Sequence, residues 1–109
     1  MSMTWFFFAE APPPKMDSGV ELKSMGAPVD VRERISRGLR NEVVWSSDGW
    51  GQYADDGCML EFNVTNSDDS FVCVSIKVRG LGAQDTLLRL AEENGWCLVD
   101  DSLTPVRPL

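Results

Sequence analysis

The chain has no histidine among its 109 residues. That absence removes the imidazole base of Ser-His-Asp and Cys-His nucleophile pairs, and His-ligated zinc with it. Carboxylate chemistry survives, so the exclusion covers mechanisms rather than enzymes as a class. No apolar run approaches the roughly 20 residues of a membrane-spanning helix, and no membrane partner is expected. Residues 1–9, MSMTWFFFA, are apolar but lack a basic leader and a cleavage site, and they read as a first strand instead of a secretory signal. Basic residues are scarce: 10 Lys and Arg stand against 17 Asp and Glu, a net charge of −7. Such a surface repels phosphate backbones, so nucleic acid is not an expected partner. A basic protein is the natural complement, although solubility alone also accounts for acidic charge.

Cysteine is sparse as well. Cys58, Cys73 and Cys97 are odd in number and lack metal-ligand spacing. They read as reduced thiols of a cytoplasmic protein, acting as small apolar side chains in strands. Two of them could bridge only if their strands were neighbours.

What is present is a small-domain pattern, taken as one domain over residues 1–109. Residues 4–9 form an aromatic-rich strand, stopped by Pro12, Pro13 and Pro14. Residues 10–28 read as a long loop. A helix is expected after Asp30 as N-cap, with Val31, Ile35 and Leu39 as its apolar stripe. Its other faces carry Arg32, Glu33, Arg34, Arg37 and Arg40, a basic strip able to meet an acidic segment or simply water. The Asp48-Gly49 pair predicts a two-residue hairpin turn, which would set Trp45 opposite Gln52 and Val44 opposite Tyr53. Leu60, Phe62 and Val64 alternate with polar residues, as do Val72, Val74, Ile76 and Val78. These two strands are expected to pair with Phe62 opposite Val74, leaving Glu61 diagonal to Lys77. A helix over 83–93 stops at Asn94-Gly95. Trp96, Cys97, Leu98 and Val99 form a last strand running parallel to residues 71–78, and a short tail follows it.

The expected fold is thus α+β: a two-layer sandwich, mostly antiparallel, with two helices on one face. The element order suggests a ferredoxin-like plan with an extra hairpin. Two surfaces could carry function. One is the sheet face away from the helices: Met59, Glu61, Asn63, Phe71, Cys73, Ser75 and Lys77. Apolar and aromatic groups among polar ones suit a protein interface, or a homodimer. The other is an acidic pole of Asp55, Asp56, Asp100 and Asp101, expected at one end of the sheet with Arg79. Hard cations take carboxylate oxygens, so a metal or hydrolytic site is the alternative there. No calcium loop is present, and the Gly80-Leu81-Gly82 run is no dinucleotide fingerprint, since Asp85 stands where a third glycine is needed. No cofactor is expected. Asn63-Val64-Thr65 matches a glycosylation sequon, which has no consequence without secretion.

Trp50-Gly51-Gln52-Tyr53, Leu60-Glu61-Phe62-Asn63, Val78-Arg79-Gly80 and Asn94-Gly95-Trp96 together resemble small uncharacterised bacterial α+β proteins. Some of these are similar to immunity proteins of polymorphic toxin systems. The resemblance spans about residues 50–100. It implies a cytoplasmic, non-enzymatic binder that neutralises a toxin, with no catalytic residue to carry over.

Overall fold

The structure, a computed structural model, describes residues 3–10, 23–55, 57–64, 73–80 and 82–107. Among the described residues, six strands and two helices follow the order β1 (Met3–Phe8), α1 (Pro28–Gly38), β2 (Val44–Trp45), β3 (Trp50–Asp55), β4 (Cys58–Asn63), β5 (Cys73–Gly80), α2 (Ala83–Asn94) and β6 (Cys97–Val99). The strands form one sheet in the order β2-β3-β4-β5-β1-β6, and every neighbouring pair is antiparallel. The fold class is therefore α+β. No helix among the described residues is long and apolar enough to cross a membrane.

The alternation in β4 and β5 does what period-two patterning dictates. Leu60, Phe62, Val74, Ile76 and Val78 are buried, whereas Lys77 and Met59 are exposed. The buried set joins Phe7 and Leu98 with Val31 and Ile35 of α1 and Leu87 and Leu90 of α2 in one cluster. Each such side chain contributes about 1.5–3 kcal/mol by leaving water. The helices meet at Gly38, where a methyl group would overlap the side chain of Leu90. β6 runs in the same direction as β5, as expected, but β1 lies between them.

Three local expectations are corrected. α1 begins at Pro28, with Ala27 as N-cap, so Asp30 lies in the first turn. Proline suits that first position because its missing N–H had no helical partner, and the charge of Asp30 suits the dipole there. In the hairpin, Val44 pairs with Gln52 and Trp45 with Gly51, one residue from the expected register. Ser46 N–H donates to the Trp50 carbonyl and Gly49 N–H to the Ser46 carbonyl, with Gly49 at φ 90°. This is a three-residue loop, a turn followed by a left-handed glycine. The single-residue slip exchanges the faces of Val44 and Trp45. Trp45 now lies over Gly51, where no side chain would fit, and its Nε1–H donates to Ser36 Oγ on α1 at 2.8 Å.

The β4–β5 register is shifted by two residues: Glu61 faces Lys77 and Phe62 faces Ile76. An even shift keeps every side chain on its expected face. Gly80 holds this register. It pairs with Cys58 at φ 88°, and a methyl group there would collide with the Gly57 carbonyl. Residues 100–107 fold back instead of trailing away. Val99 bridges to Pro105, Val106 N–H donates to the Leu98 carbonyl, and Gln84 on α2 donates to the Arg107 carbonyl. Phe71, Val72, Asp68, Asp69, the three prolines and most of the expected 10–28 loop lie outside the described residues. Met25, within that stretch, is buried in the core.

Candidate functional site

The pleat of β2–β5 sends one set of side chains away from the helices. Val44, Gln52, Glu61 and Lys77 form one row across the four strands, and Ala54, Met59 and Arg79 form the next. Trp50, Asn63 and Ser75 form a third. A groove of about 510 Å³ crosses the first two rows, and Glu42 also lines it. Met59, Glu61 and Lys77, all expected at a binding surface, therefore line one concavity. Asn63, Cys73 and Ser75 share its face without lining it. Phe71 and Asp56 lie outside the described residues.

Within the groove, polar and apolar groups are mixed. Met59 is 58% exposed and Val44 64%. Lys77 directly faces Glu61 but forms no ion pair with it; its Nζ sits 5.5 Å from the ring centre of Trp50. Among the described residues the ion pairs are Arg37–Glu33 and Arg40–Asp55, so Glu42, Glu61 and Arg79 have no partner of opposite charge. Asn63 Oδ1 is buried without a hydrogen-bond partner. Glu42, Val44, Gln52 and Arg79 were not expected here. Val44 and Gln52 were hidden by the hairpin slip, and Arg79 had been assigned to the acidic pole.

That pole does not assemble as expected. Asp55 ends β3 and Asp100 follows β6, with four strand intervals between them, roughly 19 Å at about 4.8 Å each. Asp55 and Asp100 already have structural tasks. Asp55 accepts from Arg40 and from the Tyr53 hydroxyl, both at 3.1 Å. Burial, and then this hydrogen bond, push the Tyr53 phenol above its ordinary pKa. Asp100 accepts from the backbone N–H of Ser102 and Thr104 and so shapes the terminal turn. Asp101 is exposed in that turn. Among the described residues no three acidic or thiol groups are placed to hold a metal ion.

The expected basic strip, which runs along α1 to Arg40 just past its C-cap, is also largely committed. Arg32 donates to the Val64 carbonyl and lies over Trp45, Arg37 pairs with Glu33, and Arg40 pairs with Asp55. The three cysteines are free thiols. Cys73 and Cys97 flank Phe8 in one row, two strand intervals apart, too far to bridge. Burial raises the pKa of all three, Cys58 having a further small push from Asp55. Raised thiols are poor nucleophiles at neutral pH. No family model, curated protein or solved structure matches this chain.

Proposed function

We propose that this is a non-enzymatic protein-binding domain, acting through the groove face of β2–β5, and that its role is toxin neutralisation of the immunity-protein kind in the cytoplasm. The observation that carries the binding reading is one surface: exposed Met59 and Val44 beside Glu42, Glu61 and Arg79, none of which has an ionic partner among the described residues. Apolar anchors inside a polar rim are what a protein interface needs. The raised thiols and the occupied Asp55 and Asp100 favour binding over chemistry. The proposed frame is a two-layer sandwich on a ferredoxin-like plan with the β2–β3 hairpin added. The strand order β6-β1-β5-β4 supports it, with β1 and β4 both antiparallel to the β5 between them.

Co-expression with the toxin encoded by a neighbouring gene tests the role. The pair should co-purify and the cells should grow. Met59→Asp should weaken association at least about ten-fold, while Arg34→Glu on α1 should not. A toxin that neither co-purifies nor loses its effect would remove the immunity reading.

A further inference from the structure

Glu42 and Arg79 lie at opposite sides of the groove. Arg79 is on β5, and Glu42 precedes Val44 of β2 by two residues, so it shares the face of Val44. Three strand intervals separate them, roughly 14 Å, too far for a pair within one chain. The arrangement is nevertheless symmetric about the line between β3 and β4. We propose that a second copy of this chain covers the face, related by a two-fold axis that lies above the face and parallel to that line.

The register dictates the contacts. Rotation about this axis exchanges β2 with β5 and β3 with β4 while preserving each row. Arg79 of one copy then lies over Glu42 of the other, and the reverse contact follows by symmetry. Met59 lies over Ala54 within the same row. In the next row the carboxylate of Glu61 meets the side-chain amide of Gln52, and the aliphatic stem of Lys77 meets Val44. Met59 and Val44, the large exposed apolar groups of the groove, are covered, and Glu42 and Arg79 gain ionic partners, while Glu61 gains a hydrogen-bond donor. Other axes parallel to the strands set Arg79 over Met59, over Ala54, over the like charge of its own counterpart, or outside the groove.

The area sets the strength. Four strands by about six residues give roughly 400 Å² per copy. The total, about 800 Å², is half of a standard stable interface of about 1,600 Å². Two copies of net charge −7 also repel. The dimer is therefore weak and exchangeable. It uses the face of the proposed partner but does not depend on that partner, since the chain alone tests it.

Sedimentation equilibrium of the full chain from about 10 µM to 1 mM should show a monomer–dimer equilibrium. Arg79→Glu and Glu42→Arg should each weaken self-association about ten-fold or more, because each places like charges together twice. An equimolar mixture of these two variants should recover association, since both cross-pairs are then Glu with Arg. Arg34→Glu should change nothing. A wild-type chain that stays monomeric at 1 mM, or a mixture that fails to recover when both variants retain native circular dichroism, overturns the proposal. A failure of toxin binding would leave this outcome untouched, and the reverse also holds.

Discussion

The sheet face opposite the helices has two halves that share one pleat and differ in fate. Toward β1 and β6 it presents Phe6, Phe8, Cys97 and Val99, brought level by the pairing of Phe6 with Val99 and Phe8 with Cys97. Phe8 is 5% exposed and Val99 fully buried, although neither belongs to the main core cluster. Toward β2–β4, with Lys77 and Arg79 of β5, the face is mixed and stays open as a groove. Among the described residues, this face therefore buries apolar side chains on one half only. An apolar row has no stable option except cover, whereas a row of alternating charge and thioether can face water until a partner arrives.

The sharpest way to break this contrast is to truncate one side chain in each half. Phe8→Ala removes a buried ring and should cost about 3–5 kcal/mol, read as a lower urea midpoint with an unchanged slope. Met59→Ala should stay within about 0.5 kcal/mol of the parent chain. Comparable losses at the two sites would mean that the open half is already packed against something within the chain.

The open half should be tolerant in its side chains and intolerant in its backbone. Gly80→Ala adds a methyl group against the Gly57 carbonyl at a φ of 88°. Gly57→Ala has a similar φ, 84°, but meets nothing within 4 Å. Left-handed strain alone costs about 1–2 kcal/mol. Gly57→Ala should show that loss, and Gly80→Ala should exceed it by at least about 1 kcal/mol because the strand pair must also part. Equal losses would show that the backbone approach does not hold the β4–β5 register.

Much of this was legible in the sequence because strand faces follow parity alone. Leu60, Phe62, Val74, Ile76 and Val78 lie on the core side whichever even register β4 and β5 adopt. The α2 stop was legible too, since Gly95 takes φ 70° and its cap hydrogen-bonds to the carbonyls of Ala91 and Glu92. What parity cannot supply is register and loop length. Asp48-Gly49 suits a two-residue or a three-residue loop, and only the latter sets Trp45 over Gly51 and under Arg32. The same slip concealed Val44 and Gln52 as groove residues. The acidic pole does not assemble because β3, which ends in Asp55, and β6, which precedes Asp100, stand four strand intervals apart, a lateral spacing that no local pattern marks. The terminal fold-back did have a signal, since an Asp starting the 100–105 segment before Pro105 is turn chemistry.

The smallest expected effect concerns pH and bears on the closed half. Burial raises the Cys73 and Cys97 thiols above their ordinary value of 9.0. The folded chain therefore keeps these protons where the unfolded chain has begun to lose them. Their contribution to stability is complete below about pH 8.5, where unfolded thiols are protonated, and is lost as pH rises toward the folded values. Cys58 and Tyr53 shift the same way and add to the slope. Urea midpoints measured from pH 7 to pH 10 should fall above pH 8.5. A Cys73→Ala, Cys97→Ala double variant should fall less steeply over the same interval, its neutral baseline lying lower from the lost packing. An identical slope would mean that water reaches both thiols, and the contrast between covered and open halves would then not extend to the row through Phe8.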